Sequence, residues 1–201
     1  PGHAHADTLS FEMSLFGQRV IVNSGTSVYG TDENRTQERS TDSHSTVEID
    51  EQDSSEVWSG FRVARRASVF DSFERETKGM VKLSACHDGY KRLSGKPVHC
   101  REWVFEDCLL TITDKVAGKG IHKVKSILPL HPRVKVILIK KNRAILEVAG
   151  NNVEITVDGN GELNDLEYMY HPEFGLSVES RKLTYHNSGV LPIEIITRIR
   201  W

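Results

Sequence analysis

Apolar and polar residues alternate along most of this chain with a period of two. Residues 11–15 alternate, a Phe16-Gly17-Gln18 turn follows, and residues 19–22 run apolar, the pattern of a hairpin. Residues 46–50, 57–61, 67–73 and 81–87 continue the alternation. Residues 99–105 and 109–114 read as a second hairpin across Glu106-Asp107. Residues 134–140, 144–148 and 153–157 form a meander, and residues 182–185 and 193–199 close the chain. No helical period persists for more than a turn or so. Many short strands at near-even spacing predict an all-β fold with few or no helices, an antiparallel sandwich or barrel.

One polar stretch breaks the pattern. Residues 31–45 hold Asp32, Arg35, Glu38, Arg39, Asp42 and His44 and no large apolar residue. A structureless segment of this length inside a compact domain is expected to be functional. No internal repeat, linker or domain boundary is visible, so residues 1–201 read as one domain, long enough to bury a core.

With 38% hydrophobic and 27% charged residues, the chain belongs with ordered globular proteins. A formal net charge of −2 gives no field that would attract nucleic acid. No apolar run reaches membrane-spanning length. Cys86, Cys100 and Cys108 are odd in number and lack CxxC spacing, so neither a disulfide framework nor a zinc ribbon is expected. They read as half-buried strand residues, with one bridge involving Cys100 conceivable in an exported protein.

The chemistry concentrates at the start. His3, His5 and Asp7 sit two apart, and on a strand they would share one face. Two imidazoles and a carboxylate on one face make a metal-ligand or acid–base constellation. Arg62, Arg65 and Arg66, close to Trp58 and Phe61, could grip carboxylates or sulfates through guanidinium forks, or could be solvated strand charges. Among the tyrosines, Tyr29 and Tyr90 are the candidates for cleft contact.

The run Gly2-His3-Ala4-His5-Ala6-Asp7-Thr8-Leu9-Ser10-Phe11-Glu12 resembles the opening of the C-terminal domain of the heparinase II/III-like family. Val20-Ile21-Val22-Asn23-Ser24-Gly25-Thr26 with Tyr29-Gly30, and Arg39-Ser40-Thr41 with His44 and Thr46-Val47, continue the resemblance in order. So do His87-Asp88-Gly89-Tyr90, residues 101–105, Leu130-His131-Pro132 and Pro172-Glu173-Phe174-Gly175. Each motif is short, but they cover nearly the whole chain in sequence.

The resemblance implies a large antiparallel β-sandwich of the super-sandwich type that accompanies an upstream helical toroid, with an active cleft between the two. It implies a parent polysaccharide lyase, commonly bacterial and periplasmic or secreted, that cleaves uronate-containing polysaccharide by β-elimination. The chain alone would then be inactive. His3 matches a histidine contributed to the cleft, suited to proton transfer near neutrality. His5 and His44 match two ligands of a metal site, usually zinc, whose third ligand is an aspartate. Asn23 stands in that place, and an amide oxygen is a poorer zinc ligand. The site is therefore either a weakened metal centre or a hydrogen-bonded His-Asn-His cluster. A carbohydrate-binding sandwich without chemistry is the alternative function. A self-sufficient hydrolase is disfavoured by the lack of clustered carboxylates and of a nucleophile elbow.

Overall fold

The computed structural model describes residues 4–201. Two antiparallel sheets face each other across one core. In chain order the elements are β1 (Met13–Leu15), β2 (Gln18–Ile21), helix α1 (Glu33–Arg39), a 3-10 turn (Thr41–Ser43) and β3 (Val47–Ile49). A two-rung hairpin follows, β4 (Val57–Trp58) and β5 (Arg62–Val63), then β6 (Val69–Thr77), β7 (Met80–His87), β8 (Val98–Glu106), β9 (Leu109–Ala117) and β10 (Ile121–Pro129). The chain ends with β11 (Lys135–Lys140), β12 (Arg143–Val148), β13 (Asn151–Asp158), β14 (Glu162–Tyr170), β15 (Val178–Val190) and β16 (Ile193–Arg200).

The larger sheet has eight strands in the order β11-β12-β13-β16-β9-β8-β7-β6, and the smaller has four, β14-β15-β10-β3. Period-two burial builds the interface between them. Leu110, Ile112 and Val116 of β9, Ile155 of β13 and Ile195 and Ile199 of β16 face Val124 and Leu128 of β10, Leu163 of β14 and Leu183 and Tyr185 of β15 in one apolar cluster. Burying each of these side chains contributes about 1.5–3 kcal/mol before entropy is counted. This is the expected all-β sandwich.

Three expectations need correction. Residues 4–12 are not a strand: Leu9 is left-handed at φ 62°, the Ser10 N–H bonds Asp7 O at 2.9 Å, and the first strand begins at Met13. His5 and Asp7 therefore do not share a strand face, and Gly2 and His3 lie outside the described residues. The polar stretch contains α1, capped by Asp32, whose side chain accepts from the Arg35 N–H. Its inward face is charged rather than apolar, which hides a helix from hydrophobic periodicity. Residues 57–61 are not one strand but the start of a hairpin that turns at Ser59, φ 54°.

Two strands went unread. Central β10 carries His122, Lys123 and Lys125 and ends in Pro129, and edge strand β14 is half polar. Cys86 and Cys100 face each other across β7 and β8 and are joined by a disulfide, while Cys108 is an exposed thiol at a turn.

Candidate functional site

Helix α1 organises the site because three of its side chains turn inward at i, i+3 and i+4. Arg35, Glu38 and Arg39 are 0%, 2% and 1% exposed. Arg39 gathers backbone carbonyls. It donates to Ala4 O at 3.0 and 3.1 Å, Ser59 O at 2.7 Å, Arg62 O at 3.0 Å and Trp58 O at 3.3 Å. The N-terminal segment and the β4–β5 hairpin are thereby tied to one guanidinium. Glu38 accepts from the Ser27 N–H at 2.9 Å and from the Ser27 hydroxyl, and lies 3.7 Å from His171 Nε2.

Arg35 sits between these two. Its Nε donates to Gly60 O at 3.0 Å, its Nη1 donates to Thr26 Oγ1 at 3.1 Å, and Glu38 Oε2 lies 3.6 Å away. The same Nη1 is 3.3 Å from His5 Nε2, and His5 Nδ1 is 3.2 Å from His44 Nε2. A guanidinium can only donate, so His5 Nε2 accepts. The His5 proton is then on Nδ1 and is given to His44 Nε2, which leaves the His44 proton on Nδ1. That nitrogen is buried with no partner among the described residues. Burial, and then the neighbouring His5, push the His44 imidazole down to about 3, so it is neutral at physiological pH.

The outer side of Arg35 carries aromatic rings. Tyr29 lies over its guanidinium, with Cζ 5.3 Å from the ring centroid. Phe174 stacks on Tyr29 with centroids 5.4 Å apart and planes inclined by 24°. The turn that presents Phe174 is fixed by a bond from the Gly175 N–H to Ser27 O at 2.9 Å. Gly25, at φ +82°, approaches His171 so closely that a Cβ there would lie 1.9 Å from the His171 carbonyl oxygen. The β4–β5 turn closes the surface: a Cβ on Gly60 would lie 2.6 Å from Gly30 O. Trp58 on this hairpin stacks with Arg62, whose Cζ is 4.7 Å from its ring centroid. Tyr29, Trp58, Phe61 and Phe174 are each about half exposed or more.

The candidates therefore separate. His5, His44 and Tyr29 meet around Arg35, and Arg62 belongs to the adjoining hairpin. Arg65 and Arg66 are exposed just beyond it, Arg65 paired with Glu56 at 3.5 Å. Tyr90 is fully buried, its hydroxyl donating to Val47 O at 2.6 Å, and is unavailable to a ligand. Arg35, Glu38, Trp58 and Phe174 were not singled out as site residues. Arginine and glutamate at i and i+3 in a segment with no apolar residue was the available signal.

For a metal, the two imidazole nitrogens are suitably spaced: two ligands of one tetrahedral zinc lie roughly 3.3–3.4 Å apart. The remaining donors do not fit. Asn23 Oδ1 accepts from the Gly25 N–H at 3.1 Å, and among the described residues no group of three His, Cys, Asp or Glu side chains could hold an ion. The guanidinium of Arg35 lies 3.3 Å from the other nitrogen of His5.

The chain is a layered antiparallel β-sandwich domain in which His5 and His44 meet beside an aromatic surface. The heparinase II/III-like C-terminal family model matches residues 1–201, and the chain belongs to that family. No curated protein matches the chain. Among solved structures it is similar to heparan sulfate lyase HepC from Pedobacter heparinus, at 19% identity and a TM-score of 0.81 over 98% of this chain and 31% of that one. It is also similar to a structure of heparinase III, at 17% identity and a TM-score of 0.80 over 98% of this chain and 30% of that one. The chain thus spans about a third of the length of these neighbours, and the likeness is one of fold.

Proposed function

We propose that this chain is the sandwich domain of a polysaccharide lyase that cleaves an anionic, uronate-containing polysaccharide by β-elimination. The observation that supports this reading most directly is an exposed surface in which Tyr29 covers Arg35 and stacks on Phe174, beside the Trp58–Arg62 pair on the hairpin tied to α1. Aromatic faces suit the apolar faces of sugar rings, and Arg62, Arg65 and Arg66 suit carboxylates or sulfates. Family membership makes a glycan the natural occupant.

β-Elimination needs the uronate charge neutralised, a base for the proton at C5 and an acid for the departing glycosidic oxygen. In this reading His3 serves proton transfer, and a helical toroid elsewhere in the parent protein supplies the remaining groups. The next residue after His3 is well anchored, since Ala4 O accepts twice from buried Arg39. Zinc at His5, Asn23 and His44 is what the family resemblance implies. Export to the periplasm or beyond is supported by the Cys86–Cys100 disulfide, which an oxidising compartment preserves. No helix among the described residues is long and apolar enough to cross a membrane.

The test is turnover of heparan sulfate, alginate and related uronate polymers by the parent protein, followed through the ultraviolet absorbance of the unsaturated product. Activity abolished in His3→Ala and weakened in Tyr29→Ala supports the proposal. Glycan binding without any turnover would instead identify a carbohydrate-binding module.

A further inference from the structure

We propose that Arg35 is the resident cation of this site, one imidazole away from where a divalent ion would bridge His5 and His44, and that the two histidines form a hydrogen-bonded relay oriented by it. The surroundings of the guanidinium are those a buried cation requires: a carboxylate from Glu38, a carbonyl from Gly60, a hydroxyl from Thr26, an imidazole lone pair from His5 and the ring face of Tyr29. They come from the N-terminal segment, the 26–29 loop, α1 itself and the β4–β5 turn, so one side chain draws together parts of the chain that an ion could also join.

The hydrogen-bond directions make the two arrangements exclusive. A shared ion needs lone pairs on both His5 Nδ1 and His44 Nε2. His5 would then carry its proton on Nε2, facing the Arg35 Nη1 donor at 3.3 Å. Donor would meet donor, and a dication would sit one imidazole away from a buried guanidinium. With Arg35 in place, His5 Nε2 accepts, His5 Nδ1 donates, and the His44 Nε2 lone pair is consumed. Asn23 fits the same arrangement. Its neutral amide oxygen accepts from the Gly25 N–H at 3.1 Å. Arg35 is a positioning residue. It sets the tautomers of the inner relay, and its outer face seats Tyr29. The inference does not depend on the chain acting on a polysaccharide.

Two measurements on the unmodified protein decide it. After incubation with zinc chloride and desalting, elemental analysis is expected to find zinc far below stoichiometric, with neither zinc nor chelator moving the melting temperature. Nitrogen spectra of protein labelled at histidine are expected to show His5 and His44 protonated on Nδ1. Arg35→Met combined with Glu38→Gln, which removes the pair without stranding a charge, is expected to scramble the His5 tautomer and raise zinc affinity by about tenfold or more. Stoichiometric zinc in the unmodified protein, lost in His5→Ala or His44→Ala, would overturn the proposal. So would a His5 proton on Nε2.

Discussion

His99 and Arg101 converge on a single carboxylate oxygen: Asp114 Oδ1 lies 2.7 Å from both His99 Nε2 and Arg101 Nε, and all three side chains are buried. Arg101 Nη2 completes a two-point grip on Oδ2 at 2.9 Å. The direction of the row can be read from its far end. The Gly89 N–H donates to His87 Nδ1 at 3.2 Å, so His87 Nε2 donates to His99 Nδ1 at 3.0 Å and His99 Nε2 donates to Asp114. Every member is satisfied with both imidazoles neutral. Arg101 also reaches Leu9 O and Ser45 O, which couples the row to the N-terminal segment.

Replacing Asp114 by Ala strands a guanidinium in the core. The expected loss is about 3–5 kcal/mol, because breaking one half of a buried pair leaves an uncompensated charge. Urea unfolding of Asp114→Ala beside Asp114→Ala/Arg101→Met checks this. The double variant should be the more stable of the two.

Acid should destabilise the fold well above the carboxylate range. Burial holds His44 neutral down to about 3 and His87 to about 2. In the unfolded chain both protonate near pH 6.5. Between those values the unfolded state binds more protons, so stability rises with pH and falls on acidification. Two imidazoles give a slope of about 2–3 kcal/mol per pH unit below about pH 6. Asp114, held far below the usual range by Arg101 and His99, adds to the loss below about pH 4. Denaturant titrations across this range measure the slope. A flat profile from about pH 6.5 to about pH 5 would show that these histidines are not buried neutral.

The Cys86–Cys100 bridge closes a loop with a sequence separation of 14. Constraining an unfolded loop of that size is worth about 3 kcal/mol. Cys86→Ala/Cys100→Ala should lose about 2–3 kcal/mol, and a reductant should lower the unfolding midpoint of the parent protein but not of the variant.

At the surface the signs differ. Tyr29→Ala and Phe174→Ala remove a stacked pair of largely exposed rings. Stability should change by less than about 1 kcal/mol. Glycan affinity, or KM in the parent protein, should weaken by several-fold to about tenfold, the scale of one aromatic contact. Isothermal titration with uronate oligosaccharides separates the two effects.

Gly25→Ala joins backbone strain to a collision. The residue is left-handed, and the new Cβ would meet the His171 carbonyl rather than a movable side chain. A loss above about 2 kcal/mol is expected in thermal unfolding, with the Phe174 turn displaced.

Alternation made the larger sheet legible from β7 to β9 and from β11 to β13, most cleanly at β12 and β13, where Ala144, Leu146, Val148, Val153, Ile155 and Val157 are buried and the residues between them are not. It failed at β10, whose buried positions include His122 and Ser126. It failed again at α1, where the buried face is Arg35, Glu38 and Arg39. Electrostatic satisfaction leaves no hydropathy trace. His5, His44 and Tyr29 were legible as ordered motifs, but the residue that brings them together was not. Its role exists only once Gly60, Thr26 and His5 converge from separate segments.

Arg39 and Arg101 hold the N-terminal segment and the β4–β5 hairpin mostly through main-chain oxygens, those of Ala4, Leu9, Ser45, Trp58, Ser59 and Arg62. A clamp that grips carbonyls is indifferent to the side chains projecting from the same residues. Trp58 and Arg62 can therefore be exchanged without unfastening the hairpin that carries them. The site separates frame from surface: the frame is written in three buried arginines, and the exposed side chains above it are free to drift.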